Sequence, residues 1–302
     1  MMKDKSVAII LVNWNGFEHT IKCINSLRDL TYRNYEVIVV DNGSDPKELI
    51  ELKKITNIKL IENGSNLGFT GGNNVGMSYA YSSGFDCIML LNNDTTVEPG
   101  FLEPLLQVLI DDNVGAVQPK IYSMHESNVL WSAGGTFNKL TGKPKTRGAG
   151  EYDEGHYDCD RDLDWITGCC LTFRKEMIDK VGYLNDLYFI MCEDVDWSLR
   201  AKNLGLSLQY VPESRILHFE SASAKSSIKS SEGTRSPLRQ YQNVRNHLFI
   251  IRKYVPPMYW IFAFFDQSIK ILTHLCYYAL KGRKEKFRLT VKGLVDGLRR
   301  FE

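Results

Sequence analysis

The features that most readily classify a chain are scarce in this one. Seven cysteines stand at positions 23, 87, 159, 169, 170, 192 and 276 without a single CxxC pair, and most lie in apolar runs. That excludes a zinc ribbon or a disulfide framework and points to reduced, cytosolic thiols. A dominant charge is missing too. With 37 basic against 36 acidic residues, no global field recruits nucleic acid or an acidic polymer. No apolar run of 18 residues is free of charge, so a spanning helix is not expected. Met1-Met2-Lys3-Asp4-Lys5 leads straight into a strand pattern, which reads as a start without a signal peptide. Neither GxGxxG nor GxxxxGK[ST] occurs.

What is present is a rhythm. The chain has 302 residues, 43% of them hydrophobic, enough for one large domain or a domain plus an appendage. "SVAIILVNW" (6–14) is a continuous β-branched run, as in a strand buried on both faces. Ile21, Ile24, Leu27 and Leu30 follow at helical spacing. "YEVIVVDNGSDP" (35–46), "NIKLIEN" (57–63), "FDCIMLLNNDT" (85–95) and "VGAVQPKI" (114–121) read as further strands, with helical segments between them. Strands alternating with single helices imply parallel crossovers in an open α/β sheet. Ligands of such sheets bind outside the carboxyl ends of the strands. Three of those ends read Asn13-Trp14-Asn15, Asp41-Asn42-Gly43 and Asn92-Asn93-Asp94, so polar residues gather on one edge.

Residues 122–165 lose the rhythm and are rich in Gly and charge, which suggests hairpins or a mobile loop. Order returns with a short amphipathic helix carrying Val195 and Leu199, ended by Gly205, on which Asp196 and Arg200 form an i,i+4 pair. A last strand, "LSLQYVPES", leads to His218. A Ser- and Lys-rich stretch, 221–236, reads as a hinge, dividing a catalytic domain (1–225) from a helical C-terminal region (226–302). Ser236-Pro237 suits an N-cap and first turn. Beyond it, an apolar segment (256–282) contains Asp266, Gln267, Lys270 and His274, and residues 281–300 carry eight Lys and Arg against two acids. This pairing suits an interfacial helix on an anionic membrane; the plainer reading is a helix packed on the catalytic domain or making a homodimer contact.

Each chemical candidate has a plainer counterpart. "NLGFTGGNN" (66–74) is a Gly-rich turn before a helix, able to expose N–H groups to an anion or to serve only as a turn. Asp41 and Asp94 are either turn and cap residues or ligand-facing carboxylates, and their shared edge favours function. Glu193-Asp194 opens a helix, where acids complement the dipole, but a carboxylate there also serves as a general base. His218 alone is more often a core or surface histidine.

Together, "VAIILVNWNG", "VIVVDNGSDP", "NLGFTGGNNVG", "LLNNDT", "WITGCCLTFRKEMIDKVGYLND" and "YFIMCEDVDWSLRAKNLG" resemble a family 2 inverting glycosyltransferase with the GT-A fold, and within it the bacterial rhamnosyltransferase-like members. The resemblance runs from about residue 6 to 250 with the motifs in family order. It implies an open, mostly parallel α/β sheet flanked by helices, with a C-terminal helical appendage. "NND" stands where the family has DxD, so Asp94 inherits the metal role and Asn92 the place near the ribose, leaving one fewer carboxylate. Asp41 matches the acid at the nucleotide base, and Asn66, Gly72 and Asn73 lie in the donor loop. Asp194 matches the catalytic base, with Glu193 and Trp165 in the acceptor pocket and His218 as a further metal ligand. The cofactor implied is Mg2+ or Mn2+. The partners implied are a dTDP- or UDP-sugar donor and a saccharide acceptor, lipid-linked and met at the inner face of the membrane. A nucleotidyltransferase would need a basic residue in the Gly-rich loop, which has none. A non-catalytic scaffold is the other reading that the NND variation leaves open.

Overall fold

The computed structural model describes residues 5–159, 161–219, 232 and 236–299. They form two compact units, the first drawn from residues 1–136, 146–189 and 193–220 and the second from 137–145, 190–192 and 221–302. The expected boundary at 225/226 lies outside the described residues, and two short internal segments join the C-terminal unit. Most of the expected hinge at 221–236 lies outside the described residues.

In the first unit, β1 (Val7–Asn13), α1 (Phe17–Arg28), β2 (Tyr35–Asp41), α2 (Pro46–Lys53), β3 (Lys59–Glu62), α3 (Gly68–Ser82) and β4 (Cys87–Leu91) alternate as the sequence predicts. There follow β5 (Thr95–Val97), α4 (Leu102–Val108), β6 (Val114–Ser123) and β7 (Leu130–Ser132), then a hairpin of β8 (Gly135–Asn138) with β9 (Lys143–Thr146), of which residues 137–145 belong to the second unit. The first unit closes with β10 (Arg161–Asp162), β11 (Cys170–Arg174), α5 (Glu176–Lys180), α6 (Glu193–Asn203) and β12 (Ser207–His218).

The main sheet has the order β10-β12-β6-β11-β4-β1-β2-β3, with β5 paired to β12 and β7 to β6. Strands β1 to β4 are parallel neighbours, but β11 inserts antiparallel between β4 and β6, so the sheet is mixed. Alternate residues of each central strand feed opposite layers, as the two-residue period requires. Val7, Ile9 and Leu11 join Ile24 and Leu27 of α1 on one face. Ala8 and Ile10 join Met77 and Ala80 of α3, and Trp197 of α6, on the other. The stretch expected to be a Gly-rich loop is largely helical. A Cβ at Gly76 would stand 2.5 Å from Ile10 Cγ2, and one at Gly72 would stand 2.8 Å from Val12 Cγ1. These glycines let α3 lie directly on β1.

The second unit contains α7 (Pro237–Tyr254), α8 (Trp260–Leu280) and α9 (Lys284–Arg299). Ser236 caps α7 by accepting from Arg239 N at 3.2 Å, with Pro237 in the first turn. Val244, Leu248 and Ile271 form its core, joined by Phe264, Leu275 and Leu294. Gly293 and Gly297 admit α7 closely, since their Cβ atoms would lie 2.8 Å from Tyr241 O and 2.7 Å from Leu248 Cδ1. Hydrogen bonds explain why the internal segments belong here. Asn246 donates to Ile190 O (2.9 Å) and Met191 O (2.7 Å), and His247 Nε2 lies 2.9 Å from Gly142 O. Among the described residues, no helix is long and apolar enough to cross a membrane.

Candidate active site

Parallel register places the ends of β1 and β2 side by side, with Asn13 opposite Asp41. Asn13 is fully buried and acts as a hub. Its Nδ2 donates to Asp41 Oδ1 (3.3 Å) and Ser44 Oγ (3.0 Å), while its Oδ1 accepts from Thr20 Oγ1 (2.7 Å). Thr20 Oγ1 in turn accepts from Asn93 Nδ2 at 2.8 Å, linking this corner to the NND motif. The sequence marks Asn13 and Asn93 only as edge residues; nothing local signals that they join across 80 positions.

Asp41 also accepts from the N–H groups of Gly43 and Ser44, both at 3.2 Å. Gly43 adopts φ +76°, which a Cβ would strain, and the carboxylate is thereby clamped at the strand end. Asn42, 2% exposed, ties the neighbouring loop down: its Nδ2 donates to Asn66 Oδ1 (3.1 Å) and Gly68 O (2.9 Å), and its Oδ1 accepts from Asn63 Nδ2 (3.0 Å). Asn66 stays exposed at the rim. Gly72 and Asn73, expected in the donor loop, lie in the first turns of α3: Gly72 faces Val12, and the buried Asn73 side chain donates to Phe69 O at 2.9 Å.

The NND motif meets a residue from the far end of the unit. Strand β12 pairs with β5 so that His218 lies opposite Thr95. His218 Nε2 is 3.1 Å from Asp94 Oδ1 and 3.3 Å from Asn92 Nδ2. The ring is buried edge-on against Trp131, with centroids 4.3 Å apart, and its Nδ1 has no hydrogen-bond partner. A cation bound at ~2.1 Å in octahedral geometry places adjacent ligands roughly 3 Å apart, so Asp94 and His218 fit two positions around one hard divalent ion. No group of three or more Asp, Glu, His or Cys forms a complete cage among the described residues.

The acid pair sits at the start of α6. Asp194 accepts from Gly168 N (2.9 Å) and Val195 N (2.8 Å). Burial raises its pKa, and these N–H bonds oppose that rise. Burial pushes the Glu193 carboxyl well above the ordinary carboxylate range, with the Asp194 charge adding to the effect, and Glu193 Oε2 is buried without a partner. Burial thus acts more strongly on Glu193 than on Asp194, whose two N–H donors favour its charged form. Just upstream, Phe189, Met191 and Cys192 all adopt positive φ (62°, 72° and 71°). Strained backbone of this kind, costing on the order of 1–3 kcal/mol per residue, concentrates at functional sites.

Trp165, assigned to the acceptor pocket, is 7% exposed, its Nε1 donates to Thr136 O at 3.1 Å, and its ring lies against Gly135. The expected i,i+4 pair of Asp196 and Arg200 forms, and it is deep: Asp196, fully buried, accepts from Arg200 Nε (2.9 Å) and Tyr188 Oη (3.3 Å), while Arg200 Nη2 donates to Tyr183 O (2.7 Å). Helical spacing reveals the pair but not its depth.

A mixed α/β sheet flanked by helices, with carboxylates and carboxamides gathered at its strand ends, defines a fold of the GT-A type. Residues 8–182 match the family described as glycosyl transferase family 2, and the chain belongs to that family; it is a glycosyltransferase. Family membership sets aside the nucleotidyltransferase and scaffold readings. Among similar proteins, the dTDP-rhamnosyl transferase RfbF of Shigella flexneri is 22% identical over 98% of this chain and 96% of its own length. The N-acetylglucosaminyl-diphospho-decaprenol L-rhamnosyltransferase of Mycobacterium tuberculosis is 26% identical over 71% of this chain and 76% of its own. A crystal structure of GalNAc-T7 with UDP, GalNAc and Mn2+ shares the fold with a TM-score of 0.62 at 16% identity, covering 82% of this chain and 48% of that one.

Proposed function

We propose that the protein is an inverting hexosyltransferase that moves a rhamnose-like sugar from a dTDP- or UDP-sugar to a hydroxyl of a growing, lipid-linked surface polysaccharide. The names of the two bacterial relatives support both donor and acceptor class. The observation that carries the chemistry is Asp194, a partly buried carboxylate held by two backbone N–H groups beside the buried Glu193 carboxyl. A base whose pKa is raised accepts a hydroxyl proton more readily at neutral pH.

In this reading Asp194 takes the acceptor hydroxyl proton as the oxygen attacks the anomeric carbon. The bond to the donor diphosphate breaks on the opposite face, its electron pair leaves with the phosphate, and the configuration inverts. Glu193 donates a hydrogen bond to the acceptor. Asp41, Asn66 and Asn92 position the nucleoside and ribose. Asp94 and His218 would hold a Mg2+ or Mn2+ ion, which, when bound, offsets charge on the leaving diphosphate. We place the reaction in the cytoplasm at the inner face of the membrane, and the buried free thiols of Cys23, Cys87, Cys169 and Cys170 suit a reducing compartment.

The test is a panel of dTDP-, UDP- and GDP-sugars, read first by thermal shift and then by transfer to polyprenyl-diphosphate saccharides. The proposal predicts stabilisation by a dTDP- or UDP-sugar and, by NMR of the product, an inverted anomeric centre. Retention of configuration, or transfer only to soluble acceptors, overturns it.

A further inference from the structure

Helix α8 carries its polarity inside out. The polar residues that interrupt its apolar run face the interior of the C-terminal unit. Asp266 pairs with Lys143 at 2.6 Å, Gln267 is 2% exposed, His274 Nδ1 lies 3.2 Å from Gln240 Nε2, and burial lowers the pKa of Lys270. Its outward residues are Ile261, Phe262, Phe265, Ile269, Leu272 and Leu280, of which Ile261 is 74%, Phe265 68% and Leu280 86% exposed. Their spacing of three and four places them along one side, and no exposed residue of α8 is charged. Water does not favour such an arrangement.

Past the end of α8 the exposed surface turns cationic. Lys281, Lys284, Arg288 and Lys292 are exposed, and Phe287 and Val291 are exposed between them on α9. A helix of this kind, apolar outward with a basic rim and too polar within to span, lies in the plane of a bilayer. We propose that the outer side of α8, with the basic side of α9, docks on a membrane surface containing anionic lipid. Charge selects this occupant over a second copy of the chain. Residues 281–299 hold only two acids, Glu285 and Asp296, and Asp296 is engaged by Tyr241 Oη at 2.7 Å, so a copy offers the cations little to pair with. The proposal concerns this surface alone and does not depend on the assignment of donor or acceptor.

The experiment is co-sedimentation of the full chain with phosphatidylglycerol-containing and pure phosphatidylcholine vesicles at low and high salt, with mass measured in solution by light scattering. Wild type is expected to pellet with the anionic vesicles at low salt and to release as salt rises. Phe265→Glu/Leu272→Glu is expected to stay in the supernatant with an unchanged melting curve, since both residues are exposed. Lys284→Ala/Arg288→Ala/Lys292→Ala is expected to weaken vesicle affinity on the order of a hundredfold, from about fivefold per cation. This second variant leaves the apolar side intact, so the proposal stays testable should the first misfold. Failure of wild type to pellet, equal pelleting of wild type and the basic-rim variant, or a wild-type dimer that Phe265→Glu/Leu272→Glu converts to a monomer overturns the proposal.

Discussion

Asp94 Oδ1 and His218 Nε2 lie 3.1 Å apart although 124 residues separate them in the chain. The pairing of β12 with β5 makes the contact, and both side chains stand at the edge where β1, β2 and β4 end. This relationship yields the first prediction. Replacing Asp94 with Ala should weaken Mn2+-dependent binding of UDP or dTDP by roughly 10- to 100-fold. Titration calorimetry with and without Mn2+ measures it, and nucleotide affinity indifferent to both mutation and metal would remove the pair from the metal role.

Asp194→Asn should keep donor affinity while transfer falls by roughly two to four orders of magnitude, the range for a lost general base. Calorimetry supplies the first quantity and single-turnover kinetics the second. Near wild-type turnover would show that another group takes the proton.

Glu193 supplies a pH prediction for stability. Its folded pKa is raised by burial, so between its ordinary and its raised pKa the folded state holds more protons than the unfolded one. Stability is therefore greatest below the ordinary Glu range and declines as pH rises from there towards the raised value. Glu193→Gln removes that decline, and the melting-temperature difference, variant minus wild type, should grow from pH 5 to pH 8. A difference that is flat or shrinks with pH would contradict a pKa raised by burial.

Gly76→Ala tests the close seating of α3 on β1. Alanine gains about 1 kcal/mol of helix propensity. The added Cβ meets Ile10 Cγ2 at 2.5 Å, however, and overpacking of this kind costs roughly 1–3 kcal/mol. The net effect should be lower stability by urea unfolding, with donor affinity per folded molecule retained. An unchanged or raised midpoint would mean that the helix shifts freely.

Much of the catalytic unit is written locally. Runs such as "VAIILVN" are apolar at nearly every position because β1 is covered on both faces, and that pattern suffices to predict a strand inside an α/β sheet. Polar residues that end such runs mark the ligand edge, which is why Asp41, Asp94 and Asn92 are legible as candidates. Asp194 stands out as an acid at a helix start, and Ser236-Pro237 declares the start of α7 by its capping chemistry. In each case the deciding interaction spans only a few residues.

The remainder depends on which distant segments meet. Periodicity says that a segment is a strand but not which neighbour it takes, so β11 entering antiparallel between β4 and β6 has no local signature. The same holds for Asn13 as the hub of the polar corner, for His218 beside Asp94, and for the depth of Asp196. Glycines at 72 and 76 read as a loop because their intrinsic helix propensity is poor, and tertiary packing against Val12 and Ile10 overrides it. The partners of Trp165, the Gly135 backbone beside its ring and the Thr136 carbonyl that accepts from its N–H, likewise have no local signature. Composition and short-range pattern determined the fold class and the polar edge at the strand ends. Only the assembled sheet, through long-range pairing and burial, decided which side chains face that edge and which are packed away.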